Sequence, residues 1–173
     1  MLDWRVHRTQ KKMEWPMQRP RQLLVFVLDE RRFSVDLSVV VRIARMVEIT
    51  PLPQAPDVVL GLINVQGQII PVVSVRKACG LLERSPQLDD RLIILRMPAR
   101  TVALVVDEVI GVVRRDEQEV VSAQQLFPGV DTVEGVVKYD DDIVLIQNSE
   151  RFLHREDERK LGEAMKNIGG VQP

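Results

Sequence analysis

The side chains able to act as nucleophile, base or metal ligand are few: His7, His154, Cys79 and the carboxylate runs Asp107-Glu108 and Asp140-Asp141-Asp142. Covalent catalysis asks for a nucleophile with a base beside it, a metal centre for several ligands at short spacing, and a phosphate site for a glycine-rich loop. None of these patterns occurs. Each histidine lacks a second ligand at short spacing and reads as an exposed side chain. Cys79, between Arg76-Lys77-Ala78 and Gly80, reads as a buried or half-buried small residue and not as a reactive thiolate. The three aspartates lie between two strand-like runs and read as a solvated hairpin turn. Asp107-Glu108 follows a buried strand, and paired carboxylates alone are weak evidence for acid-base work. No catalytic residue, metal or cofactor is expected, so the chemistry left to this chain is recognition.

Composition narrows what is recognised. The 24 Lys and Arg against 25 Asp and Glu supply no overall positive field for a nucleic acid. A single cysteine fits a reducing compartment, and no apolar run approaches the roughly 20 residues of a membrane-spanning helix. The expected protein is globular and cytoplasmic, with no direct membrane insertion.

Apart from the termini, the elements that must position a recognition surface are short strands. Leu23 to Leu28 and Phe33 to Leu37 read as a hairpin about Asp29 to Arg32, with Phe33, Val35 and Leu37 alternating onto one buried face. Further strands are expected at Val41 to Val47, Val58 to Val65, Gln68 to Val75, Arg91 to Met97, Thr101 to Val106, Val109 to Arg114, Thr132 to Tyr139 and Ile143 to Gln147. Pro51, Pro53, Pro56, the polar stretch Glu83 to Asp90 and Pro128-Gly129 break them. Many short strands with little helix between them imply a sandwich or barrel. Gly61, inside a strand, marks a bulge, a bend or close backbone approach, and Gly67 allows a tight turn. Residues 1–21 read as a basic tail, either an arm for an acidic lipid or protein surface or a solvated extension. Residues 149–166 read as an amphipathic helix capped by Ser149, and residues 167–173 as a frayed end.

The block Leu52 to Arg76, containing Leu60-Gly61-Leu62-Ile63-Asn64-Val65-Gln66-Gly67 and Pro71-Val72-Val73-Ser74-Val75-Arg76, resembles the signature of the CheW family of chemosensory coupling proteins. Val105-Val106-Asp107-Glu108-Val109 is similar to that family's Val-Asp-x-Val element. Glu134-Gly135-Val136 with Asp141 to Ile146 resembles its final hairpin, so the likeness spans residues 22–153. It implies a mainly β fold of two intertwined SH3-like five-stranded barrels sharing a hydrophobic core, here with a C-terminal helix. It also implies a non-enzymatic adaptor joining the cytoplasmic tip of a methyl-accepting chemoreceptor to the regulatory domain of a CheA-type histidine kinase. The implied partner surface is Val40, Arg42, Gly61, Asn64, Gln66 and Gly67, with Val41 assigned to the core.

Two charged landmarks of the family are altered together. Gln66 stands at its arginine and Arg42 at its glutamate, positions implied to form an ion pair that Arg42 and Gln66 cannot make. Ser74 and Asn148 each stand where the family carries an aspartate. The paired change points to a paralogue with a different receptor or kinase in another chemosensory pathway. The competing reading is an SH3-like module that holds a peptide outside chemosensing.

Overall fold

The computed structural model describes residues 19–126 and 128–169. Eleven strands lie among them: β1 (Arg21–Leu28), β2 (Arg31–Asp36), β3 (Val40–Arg45), β4 (Val59–Val65), β5 (Gln68–Val73), β6 (Arg91–Arg96), β7 (Thr101–Val106), β8 (Glu108–Arg115), β9 (Val121–Ser122), β10 (Val133–Tyr139) and β11 (Asp142–Gln147). Two single-turn helices, α1 (Val75–Ala78) and α2 (Ala123–Leu126), interrupt them, and α3 (Arg155–Gly169) follows. The strands form two sheets, ordered β8-β1-β2-β11-β10-β9 and β3-β6-β7-β5-β4. Each sheet curls into an SH3-like barrel, and the whole second barrel is inserted in sequence between β2 and β8 of the first.

Turn chemistry sets the registers. Asp29 and Glu30, at φ of 48° and 64°, make the two-residue mirror-image turn that suits the twist of a hairpin. Leu28 therefore faces Arg31, so the turn is two residues shorter than the sequence reading placed it. The strand expected to continue to Val75 stops at Val73, because the Ser74 side chain accepts from the Lys77 N–H and caps α1.

Three apolar clusters result. Leu23, Val25, Val137, Val144 and Ile146 fill the first barrel, and Ile63, Ile70, Val72, Leu92, Ile94 and Ala103 fill the second. Between them a shared core joins Leu24, Phe26, Phe33 and Val35 to Ile93, Leu95, Val102, Leu104 and Phe152. Each fully buried Leu, Ile, Val or Phe there contributes roughly 1.5–3 kcal/mol. Ser34, expected to face solvent between Phe33 and Val35, is fully buried. The strand β2 lies between the shared core and the first barrel's interior, so neither face is wet.

The chain termini differ from the expectation in three ways. Arg21 belongs to β1, not to a tail, and pairs with Asp36 and Glu134. Ser149 caps no long helix: Asn148 caps a single 3-10 turn over Ser149–Arg151, and α3 starts at Arg155. The helix also runs through Asn167 to Gly169, which were expected to fray; residues 1–18, including His7, and residues 170–173 lie outside the described residues. Leu161 and Ala164 of α3 enter the shared core, and Glu158 accepts from Arg100 Nε at 2.6 Å. Arg100 lies between β6 and β7, so α3, which follows a strand of the first barrel, is tied to the second.

Candidate functional site

The strand β4 turns into β5 through Gln66 and Gly67, at φ of 52° and 85°. Asn64 Oδ1 accepts from the Gly67 N–H at 2.9 Å and fixes this turn. Arg42, on β3 at the opposite edge of the same sheet, donates from Nη1 to Gln66 Oε1 at 3.1 Å. The two edges of the open sheet are thereby brought together at the surface. A second tie lies deeper, where Thr50 and Leu62 exchange backbone hydrogen bonds of 2.8 and 2.7 Å. Gly61 makes that approach possible: at φ of 149°, a Cβ there would stand 2.3 Å from the Thr50 carbonyl oxygen.

Of the six residues inferred for the partner surface, Arg42, Asn64, Gln66 and Gly67 meet in one patch. Gly61 is buried beneath Thr50 and serves closure of the barrel. Val40 is only half-exposed and packs against the shared core, whereas Val41, assigned to the core, is 47% exposed. A register shift between Val40 and Arg42 turns Val41 outward, which strict alternation does not anticipate.

Ile43, exposed on β3 like Val41, lines a groove between the barrels. Its floor and rim include Ile43, Asp89, Arg91, Asp107, Glu108 and Val109. Across from β3 runs β8, the edge strand of the other sheet; its Val112 lies opposite Leu24 of β1, a shared-core residue, yet is itself exposed. Ile110, at the register shift in β8, is exposed as well. Ile43 of β3 and Val109 of β8 thus meet in this cleft, and Val41, Ile110 and Val112 are exposed on the same two edge strands.

A charge network that residue-type reasoning missed sits at one end of the groove. The Arg76 guanidinium, 7% exposed, donates to Asp29 Oδ1 at 2.9 Å, Asp107 Oδ1 at 2.8 Å and the Leu82 carbonyl at 3.2 Å. Asp107 also accepts from the Asp29 N–H at 2.8 Å and from Arg84 at 2.6 Å, while Arg84 grips Asp90 with both Nη atoms. Asp29 belongs to the first barrel, Arg76 to the second, and Asp107 to the chain crossing between them. Burial opposes the charged form of Asp107, but the Asp29 N–H and the two arginines outweigh it and hold its carboxyl below the ordinary value. The available signal was the resemblance, whose strand-end arginine and Val-Asp element are Arg76 and Asp107.

Nothing here activates a nucleophile. Burial pushes the Cys79 thiol up to about 12, and His154 is exposed just ahead of α3. Among the described residues no group of three or more His, Cys, Asp or Glu could hold a metal ion. Asp140-Asp141 is a solvated turn between β10 and β11. Both capping residues that replace the family's aspartates keep a side-chain oxygen on the backbone, Ser74 toward Lys77 and Asn148 toward Glu150.

The CheW-like domain family matches residues 22–157. The chain belongs to the CheW family. It is 24% identical over 146 residues to the chemotaxis protein CheW of Treponema pallidum, covering 81% of this chain and 86% of that one. To the chemotaxis protein CheW of Thermotoga maritima it is 32% identical over 98 residues, 57% of this chain and 64% of the relative. The crystal structure of the scaffolding protein TtCheW from Thermoanaerobacter tengcongensis superposes with a TM-score of 0.71 at 29% identity, covering 80% of this chain and 95% of that one. This CheW-family chain is accordingly a chemotaxis adaptor with the two-barrel scaffold. Most of α3 lies beyond the matched span.

Proposed function

We propose that this adaptor couples the cytoplasmic tip of a methyl-accepting chemoreceptor to the regulatory domain of a CheA-type histidine kinase, without making or breaking a bond itself. One observation carries the reading: the groove that Ile43 of β3 shares with Glu108 and Val109 of β8 beside a charged rim, with Val41, Ile110 and Val112 exposed on the same two edge strands. An apolar strip with polar borders suits an amphipathic helix laid into it, and a receptor tip would supply that helix. The patch of Arg42, Asn64, Gln66 and Gly67 offers a separate, polar surface at the tip of the second barrel. Two weak contacts become effectively intramolecular once receptor, adaptor and kinase are assembled, so neither surface needs high affinity alone. The adaptor works in the cytoplasm, reaching the membrane only through its receptor; among the described residues no helix is long and apolar enough to cross one.

The Arg42 and Gln66 pair further supports a dedicated partner in another chemosensory pathway. Its contact is kept by hydrogen bonding while the implied anion is absent, which leaves a net positive charge on the patch. The test is a pull-down of the purified chain against each CheA-like regulatory domain and each receptor tip of its own organism. Binding to one kinase and one receptor supports coupling and names the pathway. Binding to none would overturn the reading in favour of an interaction module outside chemosensing.

A further inference from the structure

The face of the second sheet that carries Ile93 into the shared core continues outward into the groove. Opposed residues of an antiparallel ladder project to the same side, so Ile43, opposite Ile93, and Arg45, opposite Arg91, extend that face along β3 and β6. Ile43 is 45% exposed, and Arg91 lines the groove with it. The apolar face thus ends in two arginines set directly against one another, both exposed.

Like charges on directly opposite strand residues oppose folding, and a nearby carboxylate relieves them where one is supplied. The sheet supplies none. The other cross-strand neighbour of Arg91 is Val106, which is fully buried. Neither Arg45 nor Arg91 takes part in an ion pair among the described residues. Arg91 instead donates from Nη1 to the carbonyls of Asp89 and Asp90, at 2.8 and 3.1 Å, which holds its guanidinium in place and leaves the charge uncancelled. Three carboxylates line the same groove. Asp107 is taken up by Arg76 and Arg84, whereas Asp89 and Glu108 stand exposed. Around Ile43 and Val109 the groove therefore presents separated charges of both signs, with the doubled cation of Arg45 and Arg91 on the β3 side.

We propose that Arg45 and Arg91 together form an acceptor for a carboxylate of the docked receptor helix, beside an aliphatic residue of that helix packed on Ile43 and Val109. The inference rests on the adaptor reading above and names the chemistry that the groove selects: an amphipathic helix with an Asp or Glu flanking its apolar stripe. Guanidinium groups present planar N–H forks that match a carboxylate. The bound carboxylate also relieves the repulsion between the two arginines, a gain that exists only in the complex.

The test measures binding of each receptor tip of the same organism to the full chain, to Arg45→Gln and to Arg45→Glu, with urea unfolding of the same three proteins. Arg45→Glu places a carboxylate opposite Arg91, so its urea midpoint should rise while its affinity for the bound tip falls about tenfold. Arg45→Gln should bind about threefold more weakly, and both losses should shrink as salt is raised from about 50 to about 500 mM. Changing each Asp and Glu of the tip to Lys in turn should restore binding to Arg45→Glu at one position. Undiminished affinity in both variants overturns the inference and leaves the adaptor reading standing. A loss accompanied by a lower urea midpoint in both variants marks a structural role and overturns it too, as does rescue at no acidic position of the tip. Absence of binding by the unsubstituted chain overturns the adaptor reading and this inference with it.

Discussion

Arg42 Nη1 and Gln66 Oε1 meet at 3.1 Å across the open edge of the second barrel. The contact is a hydrogen bond to a neutral acceptor, so it ties β3 to the β4-β5 turn without cancelling the arginine's charge. Exchanging the residues for the family's types, Arg42→Glu with Gln66→Arg, should leave stability within about 1 kcal/mol, the range of exposed polar pairs. Partner choice should change, measured by parallel affinity determinations against the available kinases and receptor tips. Identical affinities for every partner before and after the exchange would remove the case for a dedicated pathway.

The network about Arg76 joins the barrels through one buried cation. Removing it leaves Asp29 and Asp107 facing one another with only Arg84 to compensate. Arg76→Ala should therefore cost about 3 kcal/mol, the lower end for breaking a buried ion pair because Asp29 stays partly wet. Urea unfolding measures this. A loss below about 1 kcal/mol would mean that Arg84 and water satisfy both carboxylates.

Gly61 answers to a different constraint. A methyl group there would stand 2.3 Å from the Thr50 carbonyl oxygen and 2.8 Å from Ile49 Cγ2. Backbone must move to admit it, and the Thr50-Leu62 bridge is what would give way. Gly61→Ala should lose more than about 2 kcal/mol and accelerate hydrogen exchange at the Thr50 and Leu62 amides. A stable variant with both amides still protected would show that the second barrel closes by other means.

Cys79 should be inert to alkylation at neutral pH. Its thiol is pushed up to about 12 by burial, which leaves almost no thiolate to react. Mass spectrometry after iodoacetamide treatment should find the folded chain unmodified and the urea-unfolded chain modified; rapid labelling of the folded protein would reverse this account.

Much of this architecture was legible because the strands are short, apolar and punctuated. Runs such as Thr101 to Val106 sit within one register, and each expected strand has a counterpart among β1 to β8, β10 and β11. The two-residue β9 carries too little pattern to be seen. Sequence periodicity failed where both faces of a strand are covered, as at Ser34, and where a bulge resets alternation, as at Val41. It also merged the 3-10 turn at Ser149 with α3, because Phe152 and Leu153 carry the apolar signal across the break at His154. The joining of Asp29, Arg76 and Asp107 depends on contacts between residues 31 to 78 positions apart, and the sheet order on pairings as distant as Arg21 with Arg115 and Arg32 with Val144, which no local pattern encodes.

Acid should loosen the same junction. Burial penalises the ionised forms of Asp107 and Asp36, yet donors override it in both: the Asp29 N–H with Arg76 and Arg84 for the first, the Ser38 hydroxyl and N–H with Arg21 for the second. Each carboxyl is thus held below its ordinary value of 3.8. A carboxylate depressed in the folded state binds its proton more weakly there than in the unfolded chain. It contributes stability above the unfolded value and surrenders it as pH falls through the folded one. Urea midpoints should be flat near neutrality and decline once the pH drops below about 4. Asp107→Asn should be less stable than the parent at neutral pH and approach it at low pH, since the substitution and the proton remove the same charge. Parallel acid curves for the two proteins would show that Asp107 contributes nothing through its ionisation.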